Sequence, residues 1–145
     1  MPIDFSEHSK SALSYAREIA ALYGSSIQLV HAIEEPVYPY FYAPAGGFSI
    51  AQQLEDLRVK TDEALDKLVG ESKGPEVPYE KFVLTGRPAI EITRLAEEQN
   101  SDMIVIATHG LTGLERLLVG STAEHVVRLA SCPVFTVKSF GKNLV

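Results

Sequence analysis

Gly120-Ser121-Thr122 is the stretch of this chain whose residue types could do chemistry. A glycine followed by two hydroxyl residues at the start of a helix can hold an anion. The first N–H groups of a helix have no partner within it, the helix dipole is positive there, and glycine lets a ligand approach the backbone. The spacing predicts a phosphate site at Gly120–Thr122. A plainer reading stands beside it: Ser121 only caps the helix, and Gly110, Gly113 and Gly120 only turn the chain. Asp4, at a strand's carboxyl end, can accept from an amino group or hydroxyl, or can act as a cap or turn residue. Arg116 can reach a phosphate, but it shares its loop with Glu115.

No catalytic constellation emerges. The glycine loop lacks the Gly-Lys-Ser/Thr of a P-loop. Ser121 has no sequence-evident His–Asp pair to activate it. Thr108-His109-Gly110 suggests nucleotidyl transfer, but no basic loop accompanies it, and His109 reads as a loop hydrogen-bonder. His8, His31 and His125 fall in separate elements without metal-ligand spacing. Cys132, just before Pro133, reads as a small buried residue.

The totals bound the partners. The chain has 145 residues, 46% hydrophobic and 22% charged, with a formal net charge of −6. This fits one globular domain over 1–145. The acidic balance argues against nucleic acid or an anionic membrane, which call for a basic face. Any phosphate would therefore rest on backbone N–H groups and a metal ion. The single cysteine excludes an internal disulfide and suits a reducing compartment. No apolar run reaches a membrane span and no basic-then-apolar leader is present, so the expectation is a cytoplasmic protein.

The elements that must position these residues follow from periodicity. Met1–Phe5 reads as the end of a strand. It is short for a central strand of about 5–6 residues, so the strand is stunted or begins before Met1. Ser6 can cap a helix from Glu7 to Tyr23, closed by Gly24, with Ala12, Leu13, Ala16, Ile19, Ala20 and Tyr23 inward. Ser26–Ile33 is a second strand. Residues 34–48 form a proline- and aromatic-rich loop, read either as a flap over a ligand or partner, or as a loop folded on its own helices. A helix runs from near Ser49 to Leu68 or Val69, with Leu54, Leu57, Thr61, Ala64, Leu65 and Leu68 inward. Tyr79–Thr85 alternates like an edge strand. Pro88 opens a helix with Ala89, Ile92, Thr93 and Ala96 inward, which frays at Gln99-Asn100. Met103–Ala107 is a buried strand. The Ser121–Ala130 helix turns Ala123, Val126, Val127 and Ala130 inward, and Cys132–Lys138 is the last strand. This strand–helix alternation predicts an α/β fold with a parallel sheet and helices on both faces. Ligands in such sheets sit beyond the carboxyl ends of the strands, which is where the glycine loop departs.

The chain closely resembles the universal stress protein family over essentially its whole length. The resemblance is carried by Pro2-Ile-Asp-Phe-Ser6, Leu29-Val-His-Ala32, Gly86-Arg-Pro88, Ala107-Thr-His-Gly110, Gly120-Ser121 and Cys132-Pro-Val-Phe-Thr-Val-Lys138. In the nucleotide-binding branch the pattern is glycine, two residues, glycine, nine residues, glycine, then Ser or Thr. Here Gly110, Gly120 and Ser121 keep it, and Ala107 stands for the first glycine. The resemblance implies a five-stranded, Rossmann-like or flavodoxin-like sheet of order 3-2-1-4-5, and a homodimer formed through the last strand, Pro133–Val137. It implies ATP as ligand, with Mg²⁺ held mainly by the phosphates. Asp4 and Ala32 would lie by the adenine. Ile106, Ala107 and Gly110 would line adenine and ribose, and Gly120, Ser121 and Thr122 would hold the phosphates. The implied function is a dimeric stress-response sensor or switch with at most slow ATP hydrolysis. Two alternatives stay open. One is a member that no longer binds nucleotide and acts as an interaction module, favoured by the extra methyl of Ala107. The other is a small nucleotide-dependent transferase.

Overall fold

The computed structural model describes residues 1–34, 50–108 and 120–138. The 34–48 loop from residue 35 on, His109, Gly110, Gly113, Glu115, Arg116 and the tail from 139 lie outside the described residues.

Ser6 starts α1 (Glu7–Tyr23) as expected: its Oγ accepts from the Ser9 N–H at 3.1 Å, satisfying one of the otherwise unpaired first-turn donors. Gly24 ends it in the left-handed conformation, φ +63°, where a side chain would be strained. The remaining elements are β1 (Ile27–Ile33), α2 (Ile50–Glu71), β2 (Tyr79–Thr85), α3 (Pro88–Glu98), β3 (Ile104–Ala107), α4 (Ser121–Leu129) and β4 (Val134–Val137).

Among the described residues four strands form two parallel pairs, β1 with β2 and β3 with β4. This corrects the five-stranded sheet of order 3-2-1-4-5. The first expected strand is reduced to one isolated bridge, Pro2 with Val30. Its rungs are Met1 N to Gln28 O at 2.8 Å, Val30 N to Met1 O at 3.0 Å and Ile3 N to Val30 O at 2.8 Å. Phe5 then turns the chain out of extended geometry with φ +62°.

Side-chain alternation nevertheless joins the pairs. Ile27 and Leu29 of β1, Val105 of β3 and Val137 of β4 share one buried cluster with Ile3, α1 and the Leu65–Leu68 turn of α2. Val30, Ile104 and Ile106 point the other way, into a cluster with Ile92, Leu95 and Ala96 of α3 and Ala123 and Val126 of α4. Strands buried on both faces are what a parallel sheet covered by helices requires. Three expected inward residues differ. Leu57 and Val127 are 46% and 50% exposed, and Tyr23 lies almost fully in solvent. Arg17, in contrast, is buried in α1. It donates through Nε to the Pro75 carbonyl at 2.7 Å and through Nη1 to the Val69 carbonyl at 3.1 Å, pinning the end of α2 to α1.

Candidate functional site

A cavity of about 360 Å³ opens at the carboxyl ends of β1 and β3. Pockets for small ligands are commonly about 300–1,000 Å³. Pro2, Ile3 and Asp4 form one wall, and Val30, His31, Ala32 and Glu34 a second. Ile106, Ala107 and Thr108 close the back, α3 contributes Pro88 and Ile92, and Gly120–Ala123 supply the start of α4. Seven residues singled out from the sequence line it together: Asp4, Ala32, Ile106, Ala107, Gly120, Ser121 and Thr122. The eighth, Gly110, lies outside the described residues.

The start of α4 is built by a short connection. Gly120 N–H donates to the Thr108 carbonyl at 2.7 Å, drawing the helix against the end of β3. Gly120 has ordinary backbone angles, φ −56° and ψ 143°, so conformation does not demand a glycine there. Space is tight: a Cβ would stand 3.3 Å from the Thr108 carbonyl oxygen, which would have to give by a few tenths of an ångström. Gly120 itself is the N-cap and so brings no side-chain acceptor to the first-turn N–H groups. Ser121 is therefore the first helical residue and not the cap, which removes the plainer reading of its hydroxyl. The α-helical ladder begins with Glu124 N–H to Gly120 O at 3.0 Å. The N–H groups of Ser121, Thr122 and Ala123 thus sit in the first turn, at the positive end of the dipole, on residues that line the cavity.

The wall across from α4 follows from ladder alternation. In β1, Ile27 and Ile33 direct their backbone groups to the β2 side, as Ile27 N to Pro78 O and Gly86 N to Ile33 O show. Gln28 and Val30 direct theirs to the Met1–Ile3 side. Ala32 continues that second side, beyond the point where the segment turns away. Its main-chain groups consequently face where the cavity lies, an edge able to pair with a planar ligand.

Asp4 is engaged within its own turn. Its Oδ1 accepts the Ser6 N–H at 3.0 Å and the Ser6 hydroxyl at 2.6 Å. The cap-or-turn reading of Asp4 therefore holds, and the same residue also borders the cavity. His31 and Thr108 were not singled out as site residues. His31 Nδ1 lies 2.7 Å from the Ile3 carbonyl oxygen, and its ring lies 5.0 Å from that of Phe5. The hints in sequence were the position of His31 near the end of β1 and its place in the Leu29-Val-His-Ala32 stretch.

Among the described residues no group of three or more His, Cys, Asp or Glu converges to hold a metal. A larger hollow, about 540 Å³, lies between α1 and the end of α2, lined by Glu7, Lys10, Glu71 and Lys73 among others. It sits away from the strand ends, and Lys10 there is already paired with Glu7 at 2.7 Å. No described helix is long and apolar enough to cross a membrane.

The family model described as the universal stress protein family matches residues 1–138. A universal stress protein of Methanocaldococcus jannaschii is 37% identical over 139 residues, covering 95% of this chain and 79% of its own length. The universal stress protein UspA from Lactobacillus plantarum superposes with a TM-score of 0.75 at 23% identity, covering 94% of this chain and 93% of its own. The Archaeoglobus fulgidus universal stress protein, solved in complex with dAMP, gives a TM-score of 0.62 at 23% identity, with 94% of both chains covered. Cavity, fold and sequence agree, and the chain belongs to the universal stress protein family.

Proposed function

We propose that this protein binds an adenine nucleotide, ATP in the first instance, in the cavity between β1, β3 and the start of α4. The observation that carries the reading is the first turn of α4 at Gly120–Ala123, capped by a glycine without a side chain and lining the same pocket as the end of β1, beyond the rungs of the Met1–Ile3 segment. The phosphates would rest on the N–H groups of Ser121–Ala123 and the hydroxyls of Ser121 and Thr122. Adenine would lie between Ala32 and Asp4 and against Ile106 and Ala107, with Gly110 completing the ribose side. The Ala107 methyl narrows this floor without altering ordinary strand geometry. Mg²⁺ fits as an ion held by the phosphate oxygens and water, since that ion keeps several waters and needs few protein ligands. The dAMP bound by the Archaeoglobus fulgidus protein is in keeping with this reading.

The bound nucleotide would act as a switch signal in a cytoplasmic stress response. The protein would work as a homodimer through β4, whose Phe135 is 43% exposed beside Val134 on a sheet edge. Apolar edges of this kind favour pairing. Melting the protein with MgATP, with AMP and without ligand tests the reading. A ligand at about 100 times its Kd adds roughly 2.7 kcal/mol, which raises Tm by about 5–10 °C for this size. No rise at millimolar ATP would favour instead an interaction module that works through the β4 edge and the exposed Val127 and Leu129 of α4.

A further inference from the structure

We infer that His31 is a positioning residue of this site: its imidazole fixes the carbonyl of Ile3, and through it the turn that carries Asp4 into the cavity wall. The inference rests on the nucleotide reading of that cavity.

The Met1–Ile3 segment pairs with β1 for only a few rungs. In a continued parallel ladder the Ile3 carbonyl would take its next bond from the main chain of β1. Here it lies 2.7 Å from Nδ1 of the His31 side chain. A carbonyl oxygen only accepts, so Nδ1 carries the proton and donates. The same ring lies 5.0 Å from the Phe5 ring at an interplanar angle of 46°. Phe5 is held at φ +62°, a conformation that a phenylalanine adopts only when its surroundings impose it. One imidazole thus grips both residues that flank Asp4.

The turn is completed from the other side by Asp4 itself, whose Oδ1 accepts from Ser6 N–H and Oγ. Ser6 in turn caps α1 through Ser9. His31, Ile3, Asp4 and Ser9 all border the cavity. The chain of bonds therefore runs from β1 through the turn into the first turn of α1, along one wall of the pocket. Because the side-chain bond replaces a main-chain rung, it leaves Ala32 unpaired by the Met1–Ile3 segment. The same imidazole that anchors the turn leaves a strand edge open to a ligand.

Two isosteres separate this role from others. An asparagine amide can place its N–H₂ where Nδ1 stands, whereas a glutamine amide reaches only the Nε2 position. Both variants lose the ring contact with Phe5 equally. Calorimetric titration of wild type, His31→Asn and His31→Gln with AMP and with MgATP is the test. Binding within about threefold of wild type for His31→Asn, and weaker by about tenfold for His31→Gln, is the expected result. Equal binding by the two variants, or better binding by His31→Gln, overturns the inference while leaving the nucleotide reading intact. A wild type that binds neither nucleotide overturns the reading and the inference with it. If the variants do not fold, the tautomer of His31 in wild type decides, read from long-range ¹H–¹⁵N spectra with and without AMP. A proton on Nδ1 in both states supports the role, and a proton on Nε2 alone overturns it.

Discussion

Two helices begin at the same cavity, and they begin in opposite ways. At the start of α1 the chain satisfies itself: Ser6 caps the Ser9 N–H, Asp4 accepts from Ser6, and the turn closes on His31. At the start of α4 the cap is Gly120, which brings no side-chain acceptor to the first-turn N–H groups. A helix N-terminus becomes an anion site only where the chain withholds its own acceptor. The residues that look most alike in sequence, Ser6 and Ser121, therefore have different tasks. One holds the fold, and the other is proposed to meet a ligand.

Substituting Gly120→Val breaks this contrast most severely. A Cβ already meets the Thr108 carbonyl at 3.3 Å, and the added methyl groups crowd both that contact and the open turn. Nucleotide binding should vanish in a calorimetric titration, with about 1–3 kcal/mol of stability lost to overpacking. Next in size, Ser6→Ala should cost about 1 kcal/mol, seen as a Tm lower by about 4 °C. Ser121→Ala should do the reverse, changing stability by less than about 0.5 kcal/mol while weakening nucleotide binding by about fivefold. Equal stability losses for the two serines would erase the distinction.

The smallest effect serves as a control far from both helix starts. Lys81 on β2 bonds Asp62 at 2.6 Å and Asp66 at 2.8 Å on α2. The bond from Lys81 holds the Asp66 carboxyl below its ordinary range. A depressed folded-state value means that its contribution is present above the unfolded value, near 3.9, and fades as pH falls through the lower folded value. Asp66→Asn should therefore melt slightly earlier than wild type at pH 7, and the gap should close in acid. Nucleotide affinity at pH 7 should not change.

The same contrast explains what was legible in the sequence. Short-range signals read well. The Ser6 cap, the Gly24 stop, the Pro88 start and the alternation of β1 each depend on residues within a few positions of one another. Gly120–Thr122, read from spacing, and Asp4, Ala32, Ile106 and Ala107, implied by the family resemblance, line one cavity, because strand-end loops in a parallel sheet converge on one side. Long-range partners were invisible. Arg17 meets carbonyls 52 to 58 residues away, and nothing near it in sequence announces that it will be buried. His31 meets Ile3 across 28 residues. Nor does its residue type signal the positive φ at which Phe5 ends the bridged segment. Leu57 and Val127 fit a helical stripe yet face outward, since periodicity says nothing about where the neighbouring layer ends.

On the proposed reading the first turn of α4 holds the phosphates. Amide ¹H–¹⁵N spectra of the ¹⁵N-labelled protein, titrated with MgATP and AMP, address it most directly. Large shifts of Ser121, Thr122 and Ala123, with smaller ones at Ala32, are the predicted result. Binding that leaves those three amides unmoved, or no shift anywhere at millimolar nucleotide, would contradict it.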